Sequence, residues 1–154
     1  MTQKNRLSIL AIFLTFILFS LQHFTTQPPS PKGMDTPENQ FSAVRAHNLL
    51  KSLLRENKPH PVGSDLNRII KERLKNELDR LEIEHQEQKT WACATRFASC
   101  AEVENLIAII PGETNSPYLA LMAHYDSVPM APGAGDDGAG VVAILEAARA
   151  LKLE

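Results

Sequence analysis

His124, Asp126, Asp136 and Asp137 stand close together in the runs Leu121-Met122-Ala123-His124-Tyr125-Asp126-Ser127-Val128 and Gly133-Ala134-Gly135-Asp136-Asp137-Gly138-Ala139-Gly140. An imidazole followed by carboxylates is a donor set for a divalent metal that activates water for hydrolysis. Tyr118 to Ala123 is a short apolar run that suits a strand buried on both faces. His124 and Asp126 then fall at its carboxyl end, where open α/β sheets hold their ligands. Residues i and i+2 of a strand point to the same side. His124 can therefore give one ring nitrogen to a metal while Asp126 holds the proton on the other and fixes the tautomer. The glycine-rich loop brings Asp136 back toward His124, where a carboxylate can bridge two metal ions, and the flanking glycines permit the tight backbone this needs.

Each of these residues also has a plainer reading. Alone, His124 is an ordinary histidine at a strand end and Asp126 a solvated loop acid; joined in order with Asp136 and Asp137, the set reads as a metal site. Glu146, in Ile-Leu-Glu-Ala-Ala, reads as a helix-face acid rather than a base. His23, His47, His60 and His85 have no partner at ligand spacing and read as surface, capping or packing residues.

The elements that must position the site follow from periodicity. A helix is expected from Gly138 to about Leu153, with Val141, Val142, Ile144, Leu145, Ala148 and Leu151 on its apolar face. Upstream, Thr36 reads as an N-cap with Pro37 at the first helical position, opening a helix to about Asn57. Ser64 or Asp65 caps the next helix, in which Leu66, Ile69, Ile70, Leu74, Leu78 and Leu81 recur at spacings of three and four. Ile83 to Trp91 and Val103 to Ile110 read as strands, the second central because it is continuously apolar. Helix, helix, strand, strand, strand, helix is an α/β order.

The amino terminus carries a separate signal. After Lys4 and Arg6, Leu7 to Leu21 is almost wholly apolar, long for a signal-peptide core and slightly short for a spanning helix. No small-residue cleavage site follows in Gln22-His23-Phe24-Thr25-Thr26. Residues 1–24 are therefore expected to be an uncleaved signal anchor with the charged end cytoplasmic and the rest exported; a cleaved signal peptide and a buried core helix are the alternatives. Residues 25–35 form a proline-rich spacer that should stay extended, and residues 36–154 form the folded domain. Cys93 and Cys100 are the only cysteines. In an oxidising compartment they are expected to form a local disulfide, with free thiols as the alternative. Net charge is −2 with both signs interspersed, so no basic stripe points to nucleic acid.

His124-x-Asp126-Ser127, the glycine-rich spacer and Asp136-Asp137-x-Ala139-Gly140 resemble the signature of metallopeptidase family 28, the co-catalytic zinc aminopeptidases. Pro59-His60-Pro61-Val62-Gly63-Ser64 and Val103 to Gly112 look like that family's entry segment, so the resemblance runs from about Asp35 to Glu154. It implies a three-layer α/β sandwich with a mixed, mostly parallel central sheet. It also implies two Zn2+ ions, with His124 a ligand of one, Asp136 bridging both, Asp126 behind the histidine as the catalytic aspartate, Asp137 supporting the loop, and a cis peptide between Asp136 and Asp137. The implied activity is exopeptidase hydrolysis of peptide or protein substrates through a metal-activated water, in the periplasm or a lumenal compartment. A carboxylate-rich pair of sites also accepts cobalt or manganese. The family pattern further needs a Glu-Glu pair, another aspartate and a final histidine downstream. The chain ends inside a helical pattern with no stop signal, so it is expected to be the N-terminal portion of the domain and inactive alone. Glutaminyl cyclase-like acyltransferases, which share the fold with one zinc, and receptor-type relatives without catalysis are the alternatives.

Overall fold

The computed structural model describes residues 3–94, 99–112 and 118–152, in two compact units, Met1–Ser30 and Pro31–Glu154. The first unit is helix α1, Gln3–Thr25. Its segment Ser8–Thr25 has a mean hydropathy of 1.8 and is long and apolar enough to cross a membrane. Ile12, Phe13, Phe16 and Phe19 are all exposed on it. The hydroxyls of Thr15 and Thr25 donate to the carbonyls of Ala11 and Leu21, at 2.9 and 3.0 Å. A helix apolar all round, with its hydroxyls turned onto its own backbone, suits a hydrocarbon environment. The Lys4 and Arg6 side chains, expected as the charged end, lie outside the described residues.

In the second unit, helices α2 (Ala43–Leu53), α3 (Asp65–Arg80) and α4 (Ala139–Lys152) surround a core of Ala46, Leu53, Ile70, Leu74, Leu78, Ile83, Val142 and Leu145. Each buried Leu or Ile stabilises this core by about 1.5–3 kcal/mol relative to exposure. Helix α3 starts where expected: the Ser64 hydroxyl accepts from Asn67 N at 3.1 Å, and Asp65 and Arg80 suit the two ends of its dipole. Ile70, Leu74 and Leu78 are buried at spacings of four, whereas Ile69 faces out.

Helix α2 departs from expectation. It is capped by Ser42, whose hydroxyl accepts from Arg45 N at 3.2 Å, and not by Thr36. The reason lies in competition for carbonyls. Arg45 donates to Thr36 O and Gln40 O, both at 2.7 Å, and Arg149 donates to Glu38 O at 2.5 Å. Oxygens that a helix over 37–41 would need are thereby held by guanidinium groups 5 to 111 residues away. The far end is also earlier than Asn57, because Asn57 turns left-handed at φ 49°.

Strands β1 (His85–Ala94) and β2 (Ser99–Ala108) pair antiparallel, with Cys93 opposite Cys100. These two cysteines are joined by an S–S bond of 2.11 Å. Residues 95–98 lie outside the described residues, as does Leu153, where the last helix is expected to end. Lys71 of α3, its side chain 7% exposed, fastens the helix to this hairpin by ion pairs to Glu87 at 2.8 Å and to Glu104.

The central, mostly parallel sheet is not formed by the described residues, which hold one two-stranded antiparallel sheet. Among the described residues, strand β2 has a neighbour on one side only. Tyr118 to Ala123, expected as a strand buried on both faces, pairs with no strand among the described residues, and Tyr118 and Met122 are 93% and 90% exposed. A strand exists only where a neighbour takes its backbone N–H and C=O groups, and no described residue does so here.

Candidate metal centre

The segment after Ala123 is held from behind. Tyr125 OH donates to the carbonyl of Glu104 in β2 at 2.7 Å. Ser127 and His60 bond reciprocally: His60 N donates to Ser127 Oγ at 2.7 Å, and Ser127 N donates to His60 O at 3.2 Å. Both are buried, 2% exposed for His60 and 3% for Ser127. His60 is thus a packing residue, its Nδ1 3.0 Å from Lys58 O.

The glycine-rich loop closes over this support. Gly133 adopts φ 68°, a left-handed conformation, and a Cβ there would lie 2.8 Å from Ser127 Cβ and 3.3 Å from His60 Cε1. Gly138 N donates to Gly133 O at 2.9 Å across a wide turn. Within the turn the Asp136–Asp137 peptide is cis. Asp137 Oδ1 accepts from Gly140 N at 3.1 Å, tying the loop to the first turn of α4.

The result is a compact group on the exposed side. His124 Nε2 lies 3.0 Å from Asp136 Oδ1. His124 Nδ1 faces Asp126, 3.1 Å from its backbone carbonyl and 3.3 Å from its carboxylate Oδ1. Burial presses the His124 pKa down, but the hydrogen bonds to Asp136 and the Asp126 carbonyl, with the two nearby carboxylate charges, outweigh it and raise the pKa above the ordinary imidazole value.

This donor pair fits a divalent ion. Two ligands each about 2.1 Å from one tetrahedral zinc are themselves about 3.4 Å apart, close to the His124–Asp136 separation. The Asp136 side chain is 92% exposed. Among the described residues no group of three or more His, Cys, Asp or Glu side chains forms a ready metal cage.

Three groups that shape this region escape a reading by spacing. His60 and Ser127 are 67 residues apart and Tyr125 and Glu104 are 21 apart. The signals in the sequence are the place of Ser127 directly after His-x-Asp and that of His60 within Pro59–Ser64. Glu146, read as a helix-face acid, is instead buried: it accepts from Ser42 N at 2.9 Å, Arg45 Nε at 3.0 Å and Arg149 Nε at 2.8 Å. It braces α4 against the start of α2.

Residues 105–154 match the family model described as peptidase family M28. The chain is 31% identical over 135 residues to leucine aminopeptidase 1 of Sclerotinia sclerotiorum, covering 83% of this chain and 34% of that protein. It is 32% identical over 108 residues to the vacuolar membrane protease of Coprinopsis cinerea, covering 58% of this chain and 11% of that protein. The solved structure of Porphyromonas gingivalis glutaminyl cyclase superimposes with a TM-score of 0.65 at 30% identity, covering 74% of this chain and 41% of the other. The chain thus spans about a third of the length of one curated relative and about a tenth of the other.

Proposed function

Since this chain belongs to peptidase family M28, we propose that residues 31–154 supply the first ligands of a two-zinc centre in an exopeptidase that removes residues from the free amino end of peptides. The observation that supports this most is the approach of His124 Nε2 to Asp136 Oδ1 at 3.0 Å, on a loop tied down by Gly133, Ser127 and His60. His124 would hold one ion through its imidazole. Asp126, on the Nδ1 side, keeps the proton there and so holds Nε2 as a lone-pair donor. Asp136 would be the ligand shared with the second ion, and Asp137 holds the loop to α4. Zinc bound there supplies a Lewis acid and lowers the pKa of a bound water toward neutrality. The other ligands and the general base are assigned to further residues of the kind that the longer relatives have.

Helix α1 is proposed to anchor the domain to a membrane, uncleaved, with the domain in the periplasm or a lumen. The exposed apolar surface of α1, the membrane protease among the relatives and the Cys93–Cys100 disulfide, a bond that persists in oxidising compartments, support this. The test is zinc content and release of amine from an aminoacyl amide by the full reading frame that encodes this chain, before and after chelation. About two zincs per chain with chelator-sensitive release are expected. A full reading frame without bound metal and without turnover would refute the proposal.

A second reading, a glutaminyl cyclase-like acyltransferase, is favoured by the likeness to the Porphyromonas structure. Loss of ammonia from a peptide beginning with glutamine, with the peptide bond intact and one zinc per chain, would support it over the peptidase.

A further inference from the structure

We infer that Tyr125 is the positioning residue for His124, its hydroxyl fixing the backbone that presents the imidazole to Asp136. The inference rests on the metal-centre reading above. Tyr118 to Ala123 pairs with no strand among the described residues, and within them no ladder of backbone hydrogen bonds sets the register of His124. What remains is a pair of ties on alternate residues. Tyr125 bonds to β2 and Ser127 to His60, while His124 and Asp126 gather with Asp136 on the exposed side. The tie at Ser127 lies beyond Asp126 and restrains mainly the loop. The tie at Tyr125 is adjacent to the imidazole.

Its far end is firm. The Tyr125 ring packs on the hydrophobic core, and its acceptor, the Glu104 carbonyl, belongs to a strand residue whose carboxylate is held by Lys71 and by Lys89 at 2.6 Å. Rotation of the 124–126 backbone would have to break the 2.7 Å bond from Tyr125 OH. The hydroxyl is therefore linked to the geometry of a group it does not touch.

Tyr125→Phe removes the hydroxyl and keeps the ring. The experiment compares it with the unaltered full chain in detergent micelles, with histidines labelled in the ring and spectra taken at one pH, without metal and then with zinc added. His124→Ala assigns the His124 signals and gives the zinc binding that does not involve this site. His60 and His85 report on the fold, since both are packed near backbone carbonyls. The expected result is that the His124 ring shifts move toward those of a solvated imidazole while those of His60 and His85 stay, and that zinc affinity at His124 falls about tenfold. Unmoved His124 shifts with unchanged zinc affinity would overturn the inference, and so would a concerted movement of all three histidines. If the unaltered chain takes up no zinc at His124 yet Tyr125→Phe moves His124 alone, the positioning role stands and the metal-centre reading fails.

Discussion

His124 Nε2 and Asp136 Oδ1 meet at 3.0 Å although they lie twelve positions apart, His124 in no regular element and Asp136 in the wide turn of residues 134–138. Their approach depends on two turns stacked on a buried support. Ser127 is locked to His60, Gly133 sits directly on that pair, and the loop from Gly133 to Gly138 doubles back to deliver Asp136. The candidate centre therefore inherits its geometry from packing beneath it.

Gly133→Ala should test that dependence. The added methyl meets Ser127 Cβ and His60 Cε1 in a backbone conformation that disfavours a side chain. A loss of about 1–3 kcal/mol is expected from overpacking in urea or thermal unfolding. Zinc uptake should fall with it. Stability and zinc uptake both unchanged would show that the loop does not rest on His60 and Ser127.

Glu146→Gln should be among the more disruptive single changes. The carboxylate holds two arginines and the backbone of Ser42, and those arginines secure the 36–40 segment in turn. Removing the negative charge leaves two largely buried guanidinium groups without their counter-ion, a loss of about 3 kcal/mol. Denaturant unfolding measures it. Normal stability would mean that solvent, not Glu146, satisfies these arginines.

Acid should weaken the packing of α3 on the hairpin. The hydrogen bond from Lys71, then that from Lys75, brings the Glu87 pKa from an ordinary 4.5 down to about 2. Lys71 and Lys89 likewise lower that of Glu104. A depressed carboxylate pKa adds stability that is present above about pH 4.5 and lost as pH falls through about 2. Burial opposes charge on Lys71, but its bonds to Glu104 and Glu87 outweigh this and raise its pKa, so it remains charged throughout that window. Stability followed against pH should decline from pH 4.5 downward. Lys71→Met should flatten that decline and lower the neutral-pH plateau by about 2 kcal/mol. The pair of Glu56 with Arg73 is depressed in the same range and should leave a residual slope.

Much of this arrangement is legible in the sequence, and what is not has an identifiable cause. Helices α3 and α4 announce themselves through Ile70, Leu74 and Leu78 and through Val142 and Leu145, because the apolar period is local and the core they face is large. Cys93 and Cys100 are close enough in sequence to suggest their own bond, and the Asp136–Asp137 cis peptide follows from the family resemblance. Thr36 misleads because Arg45 and Arg149, invisible to a local reading, claim the carbonyls that its helix would use. Tyr118 to Ala123 misleads for another reason. Its apolarity is that of a central strand, but apolarity states only that a residue seeks cover, and pairing requires a neighbour. The supports at His60, Tyr125 and Glu146 join residues from 21 to 104 positions apart, distances at which no spacing pattern can speak.

The most direct measurement is zinc binding by the full reading frame and by its His124→Ala and Asp136→Asn variants, by competition with a chelator, with aminoacyl amide hydrolysis followed in the same samples. The account predicts about two zincs in the unaltered protein, at least a tenfold loss of affinity in each variant with the fold retained, and loss of turnover in parallel. Zinc binding or hydrolysis that survives both substitutions would contradict it.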